Sequence, residues 1–270
     1  MSFRPRVLAA RALVRAGQFV KSLALPVMRP GDLVEFGRRT YAGARSVESW
    51  AEDRLVDAGL TENERALVDL LPARRGGLLV LGVGGGREAI SFARMGFKVT
   101  GVDFVPELVR RAEDNARKRG VDLASVVGHI DQIGFPAEAF DVVTLFAGMY
   151  STLPTRVRRI RMLNRIRRAL RPGGHFVCQF HWDPGYRPDA KAETLRRVVS
   201  VLTLGYLGYE PSDMLWGYGE FVHAFRDESE LRSEFAEAAF EVVKFIYAPG
   251  DNKSGALLRK PADAAAPSRS

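Results

Sequence analysis

Acidic residues are missing from the first 31 positions, and the 270-residue chain contains a single cysteine, Cys178. One thiol excludes an internal disulfide framework and any cysteine-rich metal site; it suits a reducing cytoplasm without requiring one. No apolar run approaches the length of a membrane span. The four histidines, His129, His175, His181 and His223, have no ligand-like spacing, so no metal is predicted. The glycine-rich segment near residue 82 lacks the lysine and Ser/Thr of a Walker-type phosphate loop. No base-flipping motif of the Asn-Pro-Pro-Tyr kind follows residues 140–146, no separate nucleic-acid module is visible, and there is no internal repeat.

What is present is ample for a folded core: 46% hydrophobic and 27% charged residues, with a formal net charge of +8. The charge is uneven. Arg4, Arg6, Arg11, Arg15, Lys21 and Arg29 precede the first acid, Asp32, and a second acid-free interval between Asp141 and Asp183 holds the arginines of 156–171. Such patches steer a protein toward phosphates, acidic lipids or an acidic carrier protein, or are solvated faces.

Residues 3–25 fit a helix with Arg4, Arg11, Arg15, Gln18 and Ser22 on one face and Leu13, Val20 and Leu23 opposite. Two readings stay open: the helix lies on an anionic membrane surface, or it packs on the protein's own body. Pro26, Pro30 and Gly31 are read as breaking it. Helices follow over 47–58 and from Thr61, where Glu64 completes a capping box. The organisation expected is a basic segment (1–30), a helical cap (31–75), a catalytic domain (76–260) with an insertion at about 183–226, and a flexible tail (261–270). A cytoplasmic location, peripheral at a membrane if the first helix docks there, is the corresponding expectation.

From residue 78 the pattern alternates. Strands are predicted over 78–82, 99–102, 125–127, 140–146 and 175–181, with helices beginning near Arg87 and Pro106 and another over 155–170. Further predictions are a helix over 190–204, an aromatic, partly extended stretch over 214–225, a helix capped by Asp227 with Glu230 at the box position, and strands over 240–248 and 256–260. Alternation of this kind predicts an α/β fold whose binding crevice lies at the C-terminal strand ends.

The strongest local signal is Leu79-Val80-Leu81-Gly82-Val83-Gly84-Gly85-Gly86-Arg87-Glu88, an apolar strand entering a glycine cluster and then a helix. Glycines let a ligand approach the backbone, and amides at the helix start face it. Arg87 occupies the place of the last glycine in a dinucleotide fingerprint, which argues against an NAD-dependent oxidoreductase. Asp103 ends the second strand, 17 residues beyond Gly86, where a carboxylate can accept both ribose hydroxyls of an adenosine.

Taken in order, Gly82 to Gly86, Val102-Asp103, Asp131-Gln132, Phe140-Asp141-Val142-Val143 and Leu170-Arg171-Pro172-Gly173-Gly174 resemble the motifs of class I S-adenosylmethionine (SAM)-dependent methyltransferases. The resemblance covers roughly 78–180 and resumes at 229–243. It implies a Rossmann-like, seven-stranded, mostly parallel sheet with helices on both faces and the last strand inserted antiparallel. It also implies SAM as cofactor and S-adenosylhomocysteine as product, without a metal. The resemblance places the methionine moiety over Gly82, Gly84 and Gly86, the ribose on Asp103 and the adenine beside Phe104. Asp131 would receive the adenine amino group, Gln132 would supply neighbouring backbone, and Phe146 and Ala147 would lie beneath the cofactor. One departure is Val80, where the family often carries an acid.

Methyl transfer needs alignment and, for a protonated acceptor, a base. His181, after the fifth strand, is the first candidate, with Tyr150 and His223 beside it and Glu220 as an alternative acid–base group. His129 and Cys178 read as structural. Tyr41 and Trp50 are expected to close over the cofactor, and Trp182, Tyr186, Tyr206, Tyr209, Trp216, Tyr218 and Phe221 to line an apolar acceptor cavity. The acceptor expected is a small or medium-sized, partly hydrophobic molecule, a natural product or lipid. A nucleic-acid methyltransferase, disfavoured by the missing motif, and a non-catalytic SAM-binding or membrane-associated partner protein are the alternatives.

Overall fold

The computed structural model describes residues 5–187, 189–217, 219–248 and 253–262. Five helices come first: α1 (Pro5–Ala24), α2 (Pro30–Ala42), α3 (Ala44–Ala51), α4 (Asp53–Ala58) and α5 (Glu62–Val68). Pro30 does not end a helix; it opens α2 at the first helical position, where a missing N–H costs nothing. The helix predicted over 47–58 is two, divided at Glu52, whose backbone is extended (φ −60°, ψ 133°). The capping box of α5 is closed: the Thr61 hydroxyl accepts from the Glu64 N–H at 3.3 Å, and the Glu64 carboxylate accepts from the Thr61 N–H at 2.8 Å. Such a cap contributes about 1 kcal/mol.

The alternating part follows: β1 (Gly76–Leu81), α6 (Arg87–Arg94), β2 (Phe97–Asp103), α7 (Pro106–Lys118), β3 (Ala124–Val127), β4 (Phe140–Leu145), a 3-10 turn (Met149–Thr152), α8 (Arg156–Ala169) and β5 (Leu170–Phe180). Then come α9 (Ala190–Thr203), β6 (Asp213–Trp216), β7 (Glu220–His223), α10 (Glu228–Glu237), β8 (Glu241–Ile246) and β9 (Ser254–Arg259). Asp227 caps α10 through the Ser229 N–H, but Glu230 does not close a box there, because its carboxylate takes the N–H of Arg226 instead.

One seven-stranded sheet runs in the order β3-β2-β1-β4-β5-β9-β8. The strands from β3 to β5 are mutually parallel, and β9 enters antiparallel between β5 and β8. Period-2 alternation divides the core. Leu79, Leu81, Val143, Leu145, Phe176 and Cys178 face α8 and α10. Leu78, Val80, Val99, Val142 and Val177 face the opposite layer, with Phe92 of α6 and Leu67 of α5. Both faces are covered, as a parallel sheet requires.

The residues after β5 form α9 and the β6–β7 hairpin, a separate two-stranded sheet. Phe221 of β7 packs with Leu25 and Leu33, seating the hairpin on α2. The additions before and after the common core thereby meet above the C-terminal ends of β1, β2 and β4. Three of the α8 arginines are engaged within the molecule, Arg156 with Glu237 at 2.7 Å, Arg159 with Glu234 at 2.7 Å and Arg158 near Asp131 at 3.4 Å, while Arg161 and Arg168 are exposed. No described helix is long and apolar enough to cross a membrane.

Candidate active site

The glycine loop turns out of β1 with the N–H groups of Gly82 and Val83 both donating to the Val102 carbonyl at 2.8 Å. Gly82 adopts φ +75°, and Met149 lies so close that a Cβ there would meet its sulfur. Gly85 is required for a second reason: a Cβ would collide with the carbonyl of Trp50, where α3 crosses the loop. Asp103 locks the arrangement from β2, accepting from the N–H of Gly84 and of Val105 at 3.0 Å each. Its burial pushes the carboxyl above the usual carboxylate range, although backbone donors at Val105, Gly84 and Phe104 oppose this.

Arg87, at the start of α6, joins the helical cap to the loop. Its guanidinium donates to both Glu64 oxygens at 2.6 and 2.7 Å and to the Gly59 carbonyl at 2.7 Å, and it also contacts Glu88. Glu64 therefore caps α5 and holds Arg87 at once. Glu88 is held above the ordinary range by burial, which Arg87 opposes and the second carboxylate, Glu64, reinforces.

Above the loop lies a cavity of about 270 Å³. Gly82 to Gly85 form its floor, Tyr41 and Trp50 come from the cap, Phe146 and Ala147 from the end of β4, and His181, Trp216 and Glu220 from beyond β5. A smaller chamber of about 70 Å³ adjoins it, walled by His129, Ile130, Leu153 and Phe221. Gly82, Asp103, Phe104 and Met149 line both chambers, so the Asp103 carboxylate stands at their junction. That geometry suits a ligand with a vicinal diol between a flat ring and a charged tail. Phe104 and Ile130 offer apolar walls to the ring, and Glu88 and Lys253 put opposite charges on the main chamber. Ala147, one of the few non-glycine residues at positive φ (55°), is held there by the Gln179 side chain accepting its N–H at 3.0 Å.

The structure brings together Gly82, Gly84, Asp103, Phe104, Phe146, Ala147 and His181 around the cavity. Gly86 stands back from it, capping α6 at φ +97° against Ala112 of α7. Asp131 and Gln132 also lie outside. Asp131 is buried against His129 and Arg158; burial pushes its pKa up, but the His129 hydrogen bond and the Arg158 charge contribute to a net lowering, and Gln132 is exposed. His129 and Ile130 line the cavity in their place.

Two of the catalytic candidates lie away from the cavity. Tyr150 is fully buried and donates its hydroxyl to Glu234 at 2.5 Å, and burial with that carboxylate drives its pKa far up. The 3-10 turn points it into the core beside Phe225 and Phe235 rather than into the cavity. His223 is also buried, its Nδ1 2.8 Å from Asp213 and its ring edge-on to Phe225.

Among the aromatic residues expected around the acceptor, Trp216 lines the main chamber and Phe221 the smaller one. Trp182 instead packs at a tilt against Tyr247, Tyr209 donates to the Glu193 carbonyl, and Tyr186 and Tyr206 line neither chamber. Tyr218 lies outside the described residues.

Sequence reading missed Glu88, His129 and Met149. Glu88 had the clearest signal, an acid two residues beyond the last loop glycine at a helix start. It also left Glu220 as a secondary choice. Glu220 lines both chambers and accepts from the Tyr41 hydroxyl at 2.5 Å. Burial raises its pKa, with Tyr41 opposing.

Residues 79–178 match the family model of a methyltransferase domain. The 27-O-demethylrifamycin SV methyltransferase of Amycolatopsis mediterranei is 34% identical over 163 residues, 57% of this chain and 58% of that protein. A ubiquinone biosynthesis O-methyltransferase of Paramagnetospirillum magneticum is 31% identical over 179 residues, 65% of this chain and 67% of that protein. An uncharacterized protein of Mycobacterium tuberculosis shares 29% identity over 62% of this chain, which spans 59% of that relative's length. In fold, the CcbJ methyltransferase of Streptomyces caelestis superposes with a TM-score of 0.59 at 18% identity, covering 80% of this chain and 96% of that one.

Proposed function

The chain belongs to the class I SAM-dependent methyltransferases, and on that premise we propose that it transfers a methyl group from SAM to a small or medium-sized, partly hydrophobic acceptor. The observation that carries this reading is the two-chambered cavity with Asp103 at its junction and an aromatic cap above it. Two relatives named for rifamycin and ubiquinone chemistry support the acceptor class. Bound SAM supplies a methyl group already activated by the sulfonium charge. The chain's residues hold and align the partners: Asp103 takes the ribose hydroxyls, Phe104 and Ile130 enclose the adenine, and Tyr41 and Trp50 exclude water. Asp131 and Gln132 support the adenine end from behind, through His129 and Ile130.

The test is transfer of label from methyl-tritiated SAM to an extractable product, using a phenol, a quinol and phosphatidylethanolamine as probes. The reading expects labelled product from at least one probe; SAM binding without label in any of them would favour a non-catalytic binding protein.

Glu88 takes the place of the acid missing at Val80 and receives the ammonium of the methionine moiety. Glu88→Gln is expected to weaken S-adenosylhomocysteine binding about tenfold, the worth of one charge-assisted hydrogen bond. It should leave 5′-methylthioadenosine, which lacks the amino-acid tail, unaffected. Equal losses for both ligands would assign Glu88 to the loop's structure instead.

His181 and Glu220 flank the acceptor, with Glu220 taking its proton. A base acts only when ionised, so kcat/KM should rise with pH through the raised pKa of Glu220, placing the acid limb above the ordinary carboxylate range. Glu220→Gln should flatten that limb. A limb unchanged in this variant would pass the role to His181.

A further inference from the structure

No residue of α1 is buried, although the helix runs for 20 residues. Leu13 and Val20, on the face opposite Arg11 and Arg15, are 74% and 65% exposed, so the apolar face is not packed on the protein's own body. Its C-terminal end is nevertheless fixed. Lys21 donates to the Gly217 carbonyl, the Tyr206 N–H donates to the Pro26 carbonyl at 2.9 Å, and Arg29 donates to the Leu204 carbonyl at 3.2 Å. These bonds lay α1 beside α9, which is itself exposed along Leu195, Val198 and Leu202, one face at helical spacing, and beyond it at Leu204.

Two neighbouring helices thus present apolar rows to solvent, and α1 carries Arg6, Arg11, Arg15 and Lys21 with no acid along its length. An exposed apolar area of this extent marks an interaction surface. We propose that the α1–α9 face docks on an anionic lipid bilayer, the apolar rows entering the headgroup boundary and the net positive charge of α1 drawing the helix to the anionic surface. A second copy of this chain fits less well, because a two-fold interface through α1 would set arginine against arginine.

The position of the surface gives it a use. A groove at the end of α1, walled by Lys21, Met28, Phe36 and Leu215, shares the β6–β7 turn with Trp216, which lines the reaction cavity. A membrane-soluble acceptor would reach the cavity past that turn. This delivery role rests on the proposed function; the docking itself does not.

Co-sedimentation of the full chain with vesicles tests it. Phosphatidylcholine containing about 30% phosphatidylglycerol should pellet the protein strongly, and phosphatidylcholine alone weakly, with binding falling as salt rises. Leu13→Asp combined with Val20→Asp, both exposed positions, should lower the anionic-vesicle partition coefficient about tenfold or more while leaving S-adenosylhomocysteine binding intact. Absence of pelleting, equal pelleting on both vesicles, or an unchanged double variant would overturn the proposal. So would light scattering that shows a dimer dispersed by the same two substitutions, or saturable binding of an acidic carrier protein in place of vesicles. If the family reading failed instead, cofactor binding would be lost in the wild type while vesicle pelleting persisted.

Discussion

Replacing Asp103 with alanine is expected to weaken S-adenosylhomocysteine binding about 100-fold. The carboxylate is buried at the junction of the two chambers, and in the proposed complex it accepts two hydroxyl hydrogen bonds. Bonds to a charged acceptor are worth roughly 1.5–3 kcal/mol each, so a net loss of about 3 kcal/mol is reasonable after water partly replaces them. Part of the effect arises before the ligand arrives, because the N–H groups of Gly84 and Val105 lose their acceptor. Asp103→Asn separates the contributions: it keeps an acceptor for the loop amides but lacks the charge, and should fall between wild type and alanine. Equilibrium dialysis with labelled ligand reads all three. An alanine variant that binds as tightly as wild type would remove Asp103 from the site.

Arg159→Met should have the largest effect on stability, a loss of about 3–5 kcal/mol by denaturant unfolding. Arg159 is completely buried, pairs with Glu234 at 2.7 Å and with Glu210 at 3.1 Å, and lies 5.3 Å from the centre of the Phe225 ring. Removing it leaves the Glu234 carboxylate buried with the Tyr150 hydroxyl as its remaining side-chain partner among the described residues. The cost is chiefly that of an uncompensated charge, so adding Glu234→Leu should recover a substantial part of it. The same guanidinium holds Glu210, which lies close enough to Asp213 and His223 for the three to have the spacing of metal ligands. A single variant as stable as wild type would mean that the cluster rearranges or hydrates.

The strands and the glycine loop were readable because each has a local cause. Alternating apolar residues in β1, β4 and β5 feed two different cores, and a loop crossed by α3 and touched by Met149 needs glycine where the chain has it. Positions along the chain were readable; side-chain directions were not. Tyr150 follows a strand that ends at the cavity, yet a 3-10 turn swings it beneath the sheet. His223 shares a strand face with Phe221, but Asp213 across the hairpin holds it in the interior.

Partners distant in sequence were equally hidden. Arg87 registered only as a mismatch to a dinucleotide fingerprint, because Glu64 lies in a helix whose packing on the loop no local pattern reveals. Tyr41 and Glu220, 179 residues apart, become neighbours only when the cap and the late hairpin meet above the sheet. Pro30 shows the remaining ambiguity: the same residue ends one helix or opens the next, and the extended backbone before it decides.

The central claim, that the cavity above Gly82 and beside Asp103 holds SAM, is tested most directly by calorimetric titration of the wild-type chain with S-adenosylhomocysteine, with NAD titrated alongside. Saturable one-to-one binding of S-adenosylhomocysteine and none of NAD is the result predicted. A folded protein that binds NAD, or neither ligand, would contradict it.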